Sequence, residues 1–92
     1  MIYIDKKLLE QATIKWGKPI QLIMVMEEAS ELIKEISKYF RDENNRENII
    51  EEVSDVYVML EQMKIIFNIT NDELDINISQ KMKRLKEKLM IE

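Results

Sequence analysis

The sequence holds no cysteine and no histidine, and only one glycine and one proline. Without cysteine there is neither a disulfide nor a thiolate metal site. Without histidine, zinc centres of the usual kind, the Glu-x-x-His pattern of di-iron bundles and any imidazole general base are excluded. Any metal held by this chain must be held by oxygen. So little glycine and proline, with 35% charged residues, is the composition of a nearly all-helical protein. There is no basic run before residues 81–88, and the net charge is −4. Neutralising phosphates along a strand needs a basic face, so nucleic acid is not expected as a partner. No apolar run approaches the ~18 residues of a membrane span. The start, Met1-Ile2-Tyr3-Ile4-Asp5, lacks the basic flank and apolar core of a signal peptide. These absences predict a soluble, cytoplasmic protein with no membrane partner. At 92 residues, one domain over 1–92 is expected. A chain this short buries only about 60–65% of its unfolded surface, which favours oligomerisation as a source of further burial.

What is present divides into four helices. Asp5 caps a short first helix running to about residue 15. Trp16-Gly17-Lys18-Pro19 is a break, with Pro19 suited to the first position of the next helix. The second helix is predicted over about 19–40, with the stripe Leu22, Met26, Ala29, Ile33, Ile36 and Phe40, widened by Val25 and Leu32. A polar turn follows, in which Asn44 and Glu47 resemble a capping box opening a third helix over about 46–67. Thr70 and Glu73 form a second such box, opening a fourth helix over about 71–90. The expected fold is all-α: a short N-terminal helix plus three longer helices in an antiparallel bundle completed by oligomerisation. On the third helix Ile49, Val53, Val56, Leu60, Met63 and Phe67 form the main stripe, while Ile50, Tyr57, Val58 and Ile65 lie away from it. A helix apolar nearly all round is central or lies at a subunit interface. A homodimer or homotetramer with Val58 and Ile65 at the interface is therefore expected.

Two acidic clusters carry the chemistry: Glu27-Glu28-Ala29-Ser30-Glu31 and Glu51-Glu52-Val53-Ser54-Asp55. Each sets a carboxylate pair three residues apart on a helix, Glu28 with Glu31 and Glu52 with Asp55, and residues so spaced are surface neighbours. Two such helices side by side gather four carboxylates and no base, which repel one another unless a hard divalent cation sits among them. Mg²⁺ is the usual occupant of oxygen-only sites. Glu52 falls within the apolar arc of its helix, between Val56 and Met59, with Asp55 one step further round beside Met59 and Ile66. An uncompensated carboxylate in a packed seam costs several kcal/mol, about as much as a small domain can spare. Glu28 and Glu31 sit at the margin of the other arc. The alternative is that these acids are solvated surface charge.

The order Trp16-Gly17, Glu27-Glu28-x-x-Glu31, then Glu52-x-x-Asp55 resembles the MazG-like, all-α nucleoside triphosphate pyrophosphohydrolase superfamily, whose signature is EExxE followed by ExxD. Twenty residues separate Glu31 from Glu52. The resemblance covers approximately 10–70, and the last helix matches only loosely. It implies Mg²⁺-dependent hydrolysis of a nucleoside or deoxynucleoside triphosphate to monophosphate and pyrophosphate, with Mn²⁺ able to substitute. It implies Glu28, Glu31, Glu52 and Asp55 as metal ligands, and Glu27 as a further catalytic acid holding a water or a second ion. Cations for the phosphates would come from Lys34 and Lys38, and from Lys81 and Arg84, a pair on one face of the last helix; the alternative for each is solvated charge. Trp16 would stack on the nucleobase, or else fill core. This chain has a single module, unlike the larger members, and its pocket would draw on a second subunit. Two readings compete with the enzyme. One is a non-catalytic helical interaction or nucleotide-binding module that retains the fold, and the other is a bare structural bundle.

Overall fold

Local signals set the helix ends. Asp5 accepts hydrogen bonds from the Lys7 and Leu8 amides at 3.1 and 3.3 Å and starts α1 (Lys6–Trp16). Gly17 ends it at φ +83, ψ 157, a conformation open essentially to glycine alone. Its amide still donates to Thr13 O at 2.9 Å, so the chain reverses without an orphaned donor. Pro19 then sits at the second position of α2 (Lys18–Phe40), where its missing N–H is not needed. α3 (Arg46–Phe67) closes on Asn68 in the left-handed region, with the Asn68 and Ile69 amides returning to Ile65 O and Lys64 O, a Schellman arrangement. The Thr70–Glu73 capping box forms, with Glu73 N–H donating to Thr70 Oγ1 at 3.1 Å, and opens α4 (Asn71–Ile91). The Asn44–Glu47 box does not form. Asn45 caps α3, and its side chain turns away to Glu35 on α2.

The computed structural model describes residues 1–91, and these four helices account for its regular structure. α2 and α3 form an antiparallel hairpin joined by residues 41–45, and α1 lies against both. Among the described residues α4 packs on none of the other three. None of the helices is long and apolar enough to cross a membrane.

The inward rows are not the apolar stripes that periodicity picks out. On α2 the row facing the bundle is Gln21, Val25, Glu28, Leu32 and Glu35; on α3 it is Glu52, Asp55, Met59, Gln62 and Ile66. Both step by alternating three and four residues, as a packed seam does. Met26, Ile33, Phe40, Val53, Leu60 and Phe67, all assigned to the core from the sequence, are exposed. Counting apolar residues misplaces the seam because six of these ten inward positions are polar. Ile66, 3% exposed, is the single buried apolar residue among those described.

A single chain is consequently open. It exposes 7977 Å², against about 5,700 Å² for a compact 11.1 kDa monomer. Its radius of gyration is 16.2 Å, against about 12 Å for a compact chain of this length.

Candidate metal and nucleotide site

Halfway along the α2–α3 seam, one oxygen from each of Glu28, Glu52 and Asp55 comes within 4.8 Å of the others. All three are partly buried. Glu28 comes from α2, and its neighbours at the acidic row come from α3, so the hairpin register brings the two motifs together. The fourth expected ligand, Glu31, is exposed and stands outside this trio, although its charge is felt at both Glu28 and Glu52. Glu27 is exposed and points off the seam.

Electrostatics at the trio are unfavourable as they stand. Burial, then the hydrogen bond and negative charge of Asp55, with Glu52 and Glu31 adding, push the Glu28 carboxyl above its ordinary range. Burial followed by the charges of Asp55, Glu31, Glu51 and Glu35 does the same to Glu52. Glu52 Oε2 is buried and has no hydrogen-bond partner. Native proteins rarely leave such an acceptor orphaned without a missing ion or water. The donor set is three carboxylates with no nitrogen or sulfur, which suits a hard divalent cation such as Mg²⁺.

Five residues before the end of α2, a second carboxylate is treated in the opposite way. Glu35 is buried, receives a hydrogen bond from Asn45 Nδ2 at 3.2 Å and pairs with Lys38 Nζ at 3.1 Å. Asn45 Nδ2 also donates to Glu35 O at 2.8 Å. The Asn45 and Lys38 hydrogen bonds outweigh burial, and the Glu35 carboxyl lies below its ordinary range. Lys38 is thereby committed to Glu35, while Lys34 is exposed. Lys81 and Arg84 are exposed on α4, and one chain does not bring them to the carboxylates.

Beside the trio, between α1, α2 and α3, lies a cavity of about 240 Å³. Glu28 and Asp55 form one part of its wall, Met24, Val25, Val58 and Met59 make it apolar, and Trp16 stands at its edge. Trp16 is half exposed, with Lys15 Nζ 5.5 Å from its ring centroid, so it is not a core residue. Val58, expected at a subunit interface, faces this cavity; Ile65 is half-buried within the chain. Sequence reasoning missed Gln21, Gln62, Glu35 and Asn45. A signal for three of them existed: Gln21, Glu28 and Glu35 recur every seven residues, as do Asp55 and Gln62, the spacing of one column on a packed helix.

Residues 20–91 match the model of the MazG nucleotide pyrophosphohydrolase domain. The match takes in the whole of α4, further than the resemblance over approximately 10–70 reached, and omits α1. No curated protein and no solved structure matches the chain.

Proposed function

The chain belongs to the family of the MazG nucleotide pyrophosphohydrolase domain, and we propose that it hydrolyses a nucleoside or deoxynucleoside triphosphate to the monophosphate and pyrophosphate, as one domain and with Mg²⁺ as its metal, Mn²⁺ substituting. The observation that carries this reading is the trio Glu28, Glu52 and Asp55, with oxygens within 4.8 Å and Glu52 Oε2 orphaned. Glu28, Glu52 and Asp55 would hold the ion, joined by Glu31 from the solvent side. A bound divalent ion neutralises phosphate charge and makes water a better nucleophile. Glu27, exposed on α2, would hold the attacking water and take its proton. Water oxygen attacks the α phosphorus, the bond to the bridging oxygen breaks, and pyrophosphate leaves. The chain supplies position and charge and no nucleophile.

The working unit of this reading is a homodimer or homotetramer in the cytoplasm. The surplus surface, roughly 2,300 Å² per chain, is of the size that obligate assemblies remove. Exposed Ile78, Met82, Leu85 and Leu89 give α4 an apolar face with nothing on it in one chain, and assembly is the route by which Lys81 and Arg84 reach the phosphates of a neighbouring site. Light scattering at micromolar concentration tests this, and an 11 kDa particle overturns it.

Phosphorus NMR of the products across the common NTPs and dNTPs, with Mg²⁺ or Mn²⁺, tests the reaction. Monophosphate plus pyrophosphate is expected. Orthophosphate plus diphosphate would mean cleavage at the wrong bond, and no product from any nucleotide would leave a nucleotide-binding module without turnover.

A further inference from the structure

Gln21 and Gln62 face the same cavity from opposite helices, and each is 5% exposed. Their side-chain amides are treated differently. Gln62 Nε2 donates to Leu9 O at 3.2 Å and to Thr13 Oγ1, tying α3 to α1. Gln21 Nε2 reaches only Met24 Sδ, at 4.0 Å, and a thioether is a weak acceptor. Among the described residues no other group pairs with the Gln21 amide. Gln62 is explained by the fold. Gln21 is not, because a weak thioether acceptor is the one partner its amide has among the described residues, on a face that opens to the cavity.

The cavity around Gln21 selects the kind of ligand that would pair with it. Its walls are largely apolar, Trp16 offers a ring at the edge, and Glu28 and Asp55 lie on the same wall. A flat heteroaromatic ring with a polar edge suits such a space, whereas a bare phosphate or sugar would leave its polar groups against methionine and valine. A carboxamide presents a donor and an acceptor side by side, the complement of a nucleobase edge. We infer that Gln21 is the specificity-determining residue of this site, hydrogen-bonding the edge of the nucleobase while the phosphates lie towards the carboxylates. The inference rests on the pyrophosphohydrolase reading for the direction in which the nucleotide lies.

Trp16 is the chain's one tryptophan, so its emission reports on the cavity without turnover. The test titrates the wild type, Gln21→Leu and Gln21→Glu with the 5′-monophosphates of adenosine, guanosine, cytidine, uridine and thymidine, with ribose 5-phosphate as the base-free control. The wild type should bind its preferred base about 10-fold or more tighter than its worst, the discrimination expected of a bidentate amide contact. Gln21→Leu should compress that spread to about twofold with the ribose 5-phosphate signal unchanged, and should melt no lower than the wild type, since the amide it removes has a weak thioether acceptor as its one partner among the described residues. The near-isosteric Gln21→Glu, which loses the donor, should also lose the wild-type preference. A spread that survives in either variant, a wild type without any spread, no Trp16 response to any monophosphate, or a Gln21→Leu protein that melts lower or fails to fold would each overturn the inference. Running the same proteins through the phosphorus NMR panel separates the two readings. Gln21-dependent binding without turnover breaks the hydrolase reading alone, and turnover with the same base preference in Gln21→Leu breaks this inference alone.

Discussion

Glu35 and Glu52 are both glutamates on the inward rows of one helical hairpin, about equally far from its loop along α2 and α3. Around Glu35 the protein sets donors: Asn45 and Lys38 hold it ionised, and its carboxyl is pulled below the ordinary range. Around Glu52 it sets other carboxylates, leaves Oε2 bare, and pushes the carboxyl up. Burial opposes ionisation in both places, so burial does not separate them. The partner set does. A seam carboxylate whose partners are all supplied by the chain is a clamp between helices. One whose neighbours share its sign is held above its ordinary range by them and by burial.

The comparison breaks first on activity. Asp55→Ala should lower turnover by about 10²-fold or more, through displacement of the ion and of the attacking water, with helical circular dichroism unchanged. Asn45→Ala should leave turnover of the folded protein within about twofold while lowering the melting temperature by about 5–15 °C, since it strips the clamp from buried Glu35. Activity lost in Asn45→Ala as steeply as in Asp55→Ala would erase the distinction between the two carboxylates.

Smaller effects sharpen it. In metal-free buffer Glu52→Gln should melt at or above the wild-type temperature, by up to about 5 °C, because it removes like-charge repulsion. Adding Mg²⁺ or Mn²⁺ should raise the wild-type melting point, and less so for Glu52→Gln. A Glu52→Gln protein markedly less stable without metal, or one that responds to metal as fully as the wild type, would count against Glu52 as a ligand.

The smallest expected effect is in the pH profile of the metal-free protein. A carboxyl raised in the folded state, as at Glu28 and Glu52, contributes stability that is present below its ordinary value of 4.5 and is lost as pH rises through the raised value. The lowered carboxyl of Glu35 contributes stability that is present above 4.5 and is lost as pH falls through the lowered value. Melting temperature should therefore rise as pH falls through the raised carboxyls of Glu28 and Glu52, and drop again as pH falls through the lowered carboxyl of Glu35. Glu52→Gln should flatten the upper limb and Asn45→Ala the lower one. A calorimetric pH series in which both variants keep the wild-type shape would remove the electrostatic contrast.

The amino-acid sequence by itself determined the parts that depend on near neighbours. Asp5, Gly17, Asn68 and the Thr70–Glu73 pair set helix ends through contacts within a few residues, and such contacts do not wait for the fold. The two acidic motifs were legible for the same reason, since three-residue spacing on a helix makes a pair whatever the helix packs against. Which face turns inward was decided only by the tertiary structure. Met26, Ile33, Val53 and Leu60 make the more apolar stripes, yet the hairpin closes on rows that hold Gln21, Glu28 and Glu35 opposite Glu52, Asp55 and Gln62. Hydrophobic periodicity measures where burial is cheapest for one chain. A seam built around polar groups follows instead from how two helices pair, and along one helix its mark is the seven-residue recurrence of Gln21, Glu28 and Glu35. The same holds for Asn45, whose local role as a helix cap gave way to a partner ten residues back on α2, and for the two glutamines, alike in sequence and burial, of which packing satisfied one and left the other facing the cavity.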